Sequence, residues 1–317
     1  MPHLGEHVGE LCALLTAVSW AVSGIAFGVA ARAVGGFALN HFRIWLALPL
    51  LALLALAVEG RLWPPGADAE RAGLLFVSGL VGLVLGDLGY FHALATVGPR
   101  LASVLMATWP VMALGFGLLL GEPFRLAVLP GVFATVLGVV LVLAGGRRGA
   151  SWNPTGSPRD RLSGVLGALL AAVGQAGGIV LARLAMRGGI AAGGSEGAVV
   201  VVDPLGATLL RMTAGVIGLQ LAAMLRRRPF AGLAVARQPA ALRGAVLGTL
   251  LGPVSGVWLS MVATQQSRDI GVAAALMATA PLFLVPLARF FYGTGFGLVG
   301  WCGTLLTVAG AVWLLTA

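Results

Sequence analysis

Residues 105–110 read LMATWP, and residues 276–281 read LMATAP. The two hexapeptides differ at a single position and lie 276 − 105 = 171 positions apart in a chain of 317 residues. A separation of more than half the chain excludes a short tandem repeat. The recurrence instead predicts a chain that is built from two related halves.

The composition is typical of a membrane protein. Hydrophobic residues make up 59% of the chain, charged residues 10%, and the mean hydropathy is +0.98, whereas a soluble domain is about a quarter charged. All basic residues are arginines, most of them in short gaps between apolar runs, and no basic face with interleaved aromatic residues occurs. We therefore expect a lipid bilayer as the surroundings and exclude nucleic acid as a partner.

Ten apolar runs are each long enough to cross a bilayer as a helix, which takes about 20 residues. The sequence therefore predicts an all-α polytopic membrane protein with ten transmembrane helices. Glycines that recur four residues apart, as at Gly24 and Gly28, predict close packing of helices in lipid. The predicted spans are 11–31, 39–58, 72–96, 100–120, 126–144, 162–186, 204–225, 241–264, 271–291 and 296–316.

Matching residues recur in the same order in the two halves. The hexapeptides fall on the fourth and ninth predicted helices, and the Arg43 region of helix 2 matches the Arg211 region of helix 7. Further matches pair Gly24-Ile25 with Gly178-Ile179, Leu85-Gly86 with Leu251-Gly252, His92 with Trp258, and 135–138 (TVLG) with 307–310 (TVAG).

The helix count decides how the halves relate to each other. We expect a first unit at 1–146, a linker at 147–161 and a second unit at 162–317. A unit with five crossings delivers the next unit to the opposite side of the membrane. The sequence thus predicts two inverted five-helix repeats, the arrangement of many secondary transporters.

Two long segments carry a resemblance to a known family. GDLGYFHALATVGPRLASVLMATWPVMALGFGLLLGEPF (86–124) and GVWLSMVATQQSRDIGVAAALMATAPLFLVPLARFFYG (256–293) resemble the drug/metabolite transporter superfamily, particularly its EamA-domain family. The resemblance covers almost the whole chain and implies a multi-pass transporter of small metabolites in a bacterial-type plasma membrane. One departure is that the first unit has Gly121-Glu122 where the second has Tyr292-Gly293.

Asp87 is the clearest candidate for chemistry. It lies within an apolar run, where an ionised carboxylate costs about 3 kcal/mol or more. It must therefore face a partner or a wet cavity, and Tyr90 shares its face of the helix while His92 points away. We interpret Asp87 as a carboxylate that binds a proton or a substrate amine. The alternative is a structural carboxylate that accepts hydrogen bonds from a neighbouring helix.

Pro110 and Pro281 close the two hexapeptides. Each removes a backbone donor within a predicted helix and frees a carbonyl group. Freed carbonyls at membrane depth persist where they line a cavity, so the prolines are predicted to lie at the centre of the molecule. A simple packing kink is the alternative.

Other polar and aromatic side chains complete the candidate site. His92 could relay protons or could be a packed, hydrogen-bonded histidine. For each of the others a helix–helix hydrogen bond or simple packing is the alternative to substrate contact. Arg43 and Arg211 are interpreted as structural residues whose charged heads reach the membrane surface. The remaining candidates are Trp20, Ser23, Trp109, Gln175, Ser255 and Trp258.

These patterns favour one function over the others. No motif for catalysis, a metal or a cofactor occurs, so we expect no enzyme and no cofactor. We predict a secondary active transporter that exports a small metabolite by alternating access, coupled to protons through Asp87. A flippase for a lipid-linked headgroup and an intramembrane enzyme are the alternatives. The sequence does not decide whether the protein is a monomer or a homodimer. It does not decide the membrane orientation either, because the loop arginines contradict the orientation that the family implies.

Overall fold

The computed structural model describes residues 7–97, 102, 105–121, 125–145, 157–188, 201–280, 282–283 and 297–316. Every regular element in these ranges is helical. Two π-helices, π1 (Leu80–Gly86) and π2 (Leu250–Gly256), join consecutive α-helices, and a 3₁₀ turn at Leu126–Val128 precedes another. The α-helices are α1 (Val8–Val34), α2 (Gly36–Glu59), α3 (Ala69–Gly79), α4 (Asp87–Thr96), α5 (Trp109–Leu119), α6 (Leu129–Gly145), α7 (Pro158–Arg187), α8 (Pro204–Leu225), α9 (Leu233–Ala236), α10 (Pro239–Thr249), α11 (Val257–Gln266), α12 (Ile270–Met277) and α13 (Leu298–Thr316).

Several helices begin at polar capping residues. The side chain of Asp68 accepts a backbone N–H of the first turn of α3 at 2.9 Å, and Asp203 does the same for α8 at 2.7 Å. Ser157 and Asp160 form a reciprocal capping box at the start of α7. These side chains satisfy N–H groups that have no partner within the helix. The caps thus set where apolar helices start.

Six of the ten predicted spans are confirmed as helices long and apolar enough to cross a membrane. Three others overlap shorter apolar helices. The ninth predicted span begins on α12, and most of its remainder lies outside the described residues. The number ten therefore stays a prediction. The six helices are Val8–Ala31, Gly36–Glu59, Ala69–Ala93, Pro158–Arg187, Pro204–Leu225 and Pro239–Gln266, and the shorter ones are Trp109–Leu119, Leu126–Val142 and Leu298–Leu314.

Corresponding helices of the two halves pack in equivalent ways. The helix α1 packs along α10, π2 and α11, whereas its counterpart α7 packs along α3, π1 and α4. Two further contacts, α2 with α8 and α6 with α13, each join a helix to its own counterpart, and α5 packs against α12 where the fourth and ninth predicted spans meet. Exchanging the two halves would leave this pattern of contacts unchanged.

Small residues at matching positions bring α6 and α13 together. A Cβ atom on Gly138 would clash with Thr307, and a Cβ atom on Gly310 would clash with Thr135. Each half thus places its threonine against the glycine of the other half. Because lipid supplies no hydrophobic force between helices, such close approach stabilises their association. The packing role expected of Gly24 is wrong, since no heavy atom would lie within 4 Å of its Cβ.

The two π-helices occupy equivalent places in the two halves. Both are seven residues long, and they begin 250 − 80 = 170 positions apart. A π-helix forms i→i+5 hydrogen bonds where an α-helix forms i→i+4 bonds, so it leaves a recognisable local bulge. In this register Asp87, which follows π1, corresponds to Val257, which follows π2.

This register corrects the predicted alignment of the third and eighth helices. The π-helices are offset by 170 positions, whereas the sequence match of Leu85-Gly86 with Leu251-Gly252 has an offset of 251 − 85 = 166 positions. The match of His92 to Trp258 has the same offset of 166 and is therefore corrected too. The physical reason is that Gly252 and Gly256 lie about one helical turn apart, so a shift of one turn still aligns glycine with glycine.

The contact between α6 and α13 generates a stability prediction. Replacing Gly138 or Gly310 by alanine is expected to lower the free energy of unfolding by about 1–3 kcal/mol, because the added methyl group forces the helices apart. Thermal unfolding of the purified protein in detergent measures the effect. Gly24→Ala is the matched control and should be neutral or stabilising. Equal behaviour of all three variants would contradict this packing.

Candidate functional site

An ion pair joins the second and third predicted spans, each of which carries a charged side chain. Arg43 on α2 donates a hydrogen bond from Nη2 to Oδ2 of Asp87, the first residue of α4. The side chain of Arg43 is 16% exposed and that of Asp87 is 24% exposed. The bundle therefore holds the carboxylate against a compensating cation, but both groups keep some access to their surroundings. This is the central contact of the candidate site.

Asn40 and two aromatic rings surround this ion pair. Oδ1 of Asn40, a fully buried residue one turn before Arg43, accepts a hydrogen bond from Arg43 Nε at 2.7 Å. The Cζ atom of Arg43 lies 5.5 Å from the ring centre of Phe27 and 6.0 Å from that of Phe91. Both distances fit cation–π contacts. Among the described residues, the buried Nδ2 of Asn40 has no hydrogen-bond partner, so a donor is free beside the ion pair.

Three serines line the contact between α1 and π2. Ser19 donates to the carbonyl oxygen of Leu251, and its Oγ lies 3.2 Å from Oγ of Ser255. Ser255 also donates to the carbonyl oxygens of its own helix, and Ser23 donates to Trp20 at 3.0 Å. The contact of Ser255 with Ser19 joins two helices, which is the helix–helix alternative expected for Ser255, whereas the bond of Ser23 lies within its own helix.

Phe27 connects the serines to the ion pair. A Cβ atom on Gly248 would clash with the ring of Phe27, and one on Gly252 would lie 3.2 Å from both Phe27 Cε2 and Ser23 Oγ. The same ring is in cation–π contact with Arg43. The first helix of one half is thus in contact both with the ion pair and with the π-helix of the other half. A structural change at the ion pair or at π2 would therefore alter the contacts of Phe27.

Both copies of the repeated hexapeptide interrupt a helix in the same way. Thr108 donates to the carbonyl oxygen of Leu105 from its backbone N–H at 3.2 Å and from Oγ1 at 2.6 Å. Thr279 donates to Leu276 from the same two groups at 3.2 and 2.7 Å. The threonine hydroxyl therefore caps the carbonyl at which the helix stops. One interruption directly precedes α5 and the other directly follows α12, and these two helices pack against each other.

Pro110 lies at the start of a helix, so it does not remove a hydrogen bond from a helix interior as the sequence predicted. Pro110 lies in the first turn of α5, after a turn at 107–108, and not in the interior of a span from 100 to 120. A proline is tolerated there because first-turn N–H groups have no partner within the helix. Trp109 is only 4% exposed and packs in the largest buried cluster, so it faces no open site in this conformation. Pro281 lies outside the described residues.

The other predicted residues lie in separate environments. Tyr90 packs beside Phe91, with ring centres 6.2 Å apart. His92 is exposed, and its Nε2 lies 3.1 Å from Oγ of Ser163 at the start of α7. Trp258 packs against the buried cluster of α2 and α8. The half-exposed Gln175 lies on α7 where that helix passes Gly86, next to Asp87. The structure therefore brings the backbone of Gln175 close to Gly86, the residue before Asp87, whereas His92 and Trp258 lie in other environments.

Sequence reasoning missed Arg43 and Asn40 as parts of this site. Arg43 was expected to extend to the membrane surface, yet it binds Asp87, and Arg211 is only 3% exposed. Both expectations are wrong because these residues lie two turns inside their helices, facing other helices. A signal was present, since a carboxylate within an apolar run requires a cation and few arginines lie within predicted spans.

Two cavities lie away from the ion pair. The larger, of about 650 Å³, lies between α2, α8 and α9 and is lined by residues that include His41, Trp45, Gln220 and Phe230. The smaller, of about 460 Å³, lies at the start of α3. Within the described ranges no group of three or more His, Cys, Asp or Glu side chains could hold a metal ion.

Comparisons with known proteins agree with this architecture. A sequence model of the EamA-like transporter family matches the chain twice, at residues 7–144 and 162–316. A curated protein of Archaeoglobus fulgidus, described as "Uncharacterized transporter", is 28% identical over 165 residues, or 51% of this chain and 54% of that protein. The chain thus spans about half the length of this relative.

A solved structure described as "Crystal structure of protein" has a similar fold. Its TM-score is 0.70 at 20% identity, over 96% of this chain and 94% of the other. At this level of identity the likeness shows the fold alone. The family resemblance that the sequence indicated is confirmed by the family match.

The ion pair leads to a prediction about stability. Arg43→Gln and Asp87→Asn should each lower the free energy of unfolding by about 1–3 kcal/mol, because each leaves the other charge without its partner. The double variant should lose less than the sum of the two by at least about 0.5 kcal/mol. Unfolding in detergent measures all three variants. Strict additivity would show that the two side chains do not interact.

Proposed function

Because the chain belongs to the EamA-like transporter family, we propose that it is a secondary active transporter that moves a small metabolite by alternating access. Its six long apolar helices make it a multi-pass membrane protein. We place it in a bacterial-type plasma membrane, as the family resemblance implies, and propose export as the direction of transport. A homodimer is not required by this mechanism.

The proposed mechanism uses two inverted five-helix units, with a linker at 147–161. Two separate matches to one family model support this division. So do the equivalent contacts of α1 and α7, and the reciprocal contacts of Gly138 with Thr307 and of Gly310 with Thr135. Inverted units can exchange conformations, which gives states of similar energy that open to either side.

The observation that carries the proposal is the repeated helix interruption, at 107–108 before α5 and at 278–279 after α12. Secondary transporters form their binding sites from discontinuous helices at the interface between repeats, because an interrupted helix exposes backbone groups that a continuous helix would occupy. Here Thr108 and Thr279 stop corresponding helices with the same pair of hydrogen bonds. A purely structural bundle gives no reason for two matched interruptions.

Asp87 is the proton-binding group in this mechanism. With the carboxylate ionised, Arg43 is held on α4 by charge. When a proton neutralises the carboxylate, that attraction is lost, and α2 and α4 can separate. Since Arg43 also contacts Phe27, the change reaches α1 and through it π2 of the other half. Protonation would thereby favour one of the two conformations.

A transport assay tests the coupling. We expect Asp87→Asn to abolish accumulation that is driven by a pH gradient, while movement of the substrate down its own gradient persists. Proteoliposomes with a panel of labelled metabolites, with and without the pH gradient, measure both. Asp160→Asn is the matched control, because Asp160 is an exposed carboxylate at a helix cap. An unchanged pH response in Asp87→Asn would refute proton coupling at this residue.

A flippase for lipid-linked headgroups is the second candidate function. One observation favours it: the cavity of about 650 Å³ is lined largely by apolar side chains, of which Trp45, Met224 and Phe230 are exposed. Such a cavity could admit an acyl chain from the bilayer. Scrambling of fluorescent phospholipids in the same proteoliposomes distinguishes the two. Rapid scrambling with no metabolite flux would favour the flippase.

A further inference from the structure

Arg211 is a buried cation without a carboxylate partner among the described residues. It lies on α8 and is 3% exposed. Its Nη1 donates to the sulfur of Met261 at 2.9 Å, and its Nε is buried without any partner. A thioether is a weak acceptor, whereas a guanidinium group has five N–H donors. Within the described ranges, no acidic side chain compensates the positive charge of Arg211, which lies in a predicted span.

The first half contains the same cation with its anion. Arg43 and Arg211 are each the eighth residue of their helices, α2 and α8. Asp87 binds Arg43, but in the register of the two π-helices the residue that corresponds to Asp87 is Val257. The second half thus keeps the arginine and lacks the carboxylate. An anion from outside the chain would complete the pattern.

Glycine backbone and the thioether of Met261 lie against the Arg211 guanidinium. A Cβ atom on Gly82 of π1 would lie 3.2 Å from Nη2, and the neighbouring residues of α7 are Gly174 and Gly178. Backbone without side chains therefore faces the guanidinium at this helix crossing. Met261 contributes no charge. No side chain in the described ranges blocks these N–H groups by an ion pair.

A second buried arginine shows what a structural role looks like. Arg183 on α7 is 2% exposed, and it donates to the carbonyl oxygens of Thr264, Ser267 and Arg268 at 2.6, 3.0 and 3.1 Å. These bonds tie α7 to the end of α11. Arg183 thus has the hydrogen bonds that Arg211 lacks, in the same protein and at similar burial.

We propose that Arg211 binds the anionic group, a carboxylate or a phosphate, of the transported metabolite. This inference rests on the proposed transport function and names its substrate class. A desolvated guanidinium forms strong, directional hydrogen bonds with either oxyanion. A buried charge that is costly in the empty protein becomes favourable when the ligand supplies its counter-ion. Arg43 and Asp87 neutralise each other, so the anion is directed to Arg211.

The melting temperature of the purified full-length protein in detergent tests this directly. Inorganic phosphate, acetate and succinate are added at constant ionic strength, with choline as the cationic control. We expect phosphate or the carboxylates to raise the melting temperature. Arg211→Met should weaken the apparent affinity for that anion by at least about tenfold. Arg183→Met should be less stable but keep the anion response. The absence of any anion effect in the unmodified protein would overturn the proposal.

The stability of the protein without added anion gives a second readout. Arg211→Met replaces an unpaired charge by an apolar side chain of similar length, so it should not lower the melting temperature, whereas Arg183→Met should. A loss in Arg211→Met equal to that in Arg183→Met would assign Arg211 a structural role and overturn the proposal. Arg211→Lys keeps the charge but not the planar fork and should keep part of the anion response.

Flux measurements separate this inference from the function on which it rests. An anion effect that depends on Arg211, without flux of any anion through proteoliposomes, would support the binding site and overturn the transport function. Flux of neutral or cationic metabolites that is unchanged in Arg211→Met would support transport and overturn the site. Comparison of phosphate with the two carboxylates decides which oxyanion the site prefers.

Discussion

The constraint on which this structure depends is that lipid offers no partner to a polar group, so each one must find its partner within the chain. The hydroxyl of Ser78 donates to the carbonyl oxygen of Gly178, and Ser19 does the same to Leu251. Arg183 binds three carbonyl oxygens at the end of α11. Polar side chains in this bundle thereby become the contacts that hold one helix to another, and a group without a partner becomes conspicuous.

The same constraint explains the abundance of glycine. Helices in lipid are held together by close packing and by hydrogen bonds, both of which require that backbones approach each other. The pairs Gly138 with Thr307 and Gly310 with Thr135 show the two halves meeting through identical contacts. Because the two halves make equivalent contacts, exchanging their conformations costs little free energy. An alternating transporter needs this condition in order to populate two states.

The two halves are alike in packing but differ in charge. The first half pairs Arg43 with Asp87, and the second carries Arg211 with Val257 at the position of the acid. Divergence at this single position would allow one half to respond to protons while the other binds an anion. The two residues are also close along one element, because Gly82 of π1 lies near Arg211 and π1 ends directly before Asp87. Proton binding and substrate binding would then be coupled through packed side chains, without a separate coupling element.

The sequence by itself determined the membrane class, the position of most apolar helices and the recurrence of similar sequence in two halves, because hydropathy and the hexapeptide repeat are properties of the order of residues along the chain. It also identified Asp87, since an acid within an apolar run is costly wherever it points. Only the tertiary structure decided that Arg43 is its partner, that Trp109 is buried and that Arg211 has no counter-ion within the part of the chain that the structure describes. The physical reason is that a pattern along one helix says which face is polar, but not which residue of another helix lies opposite.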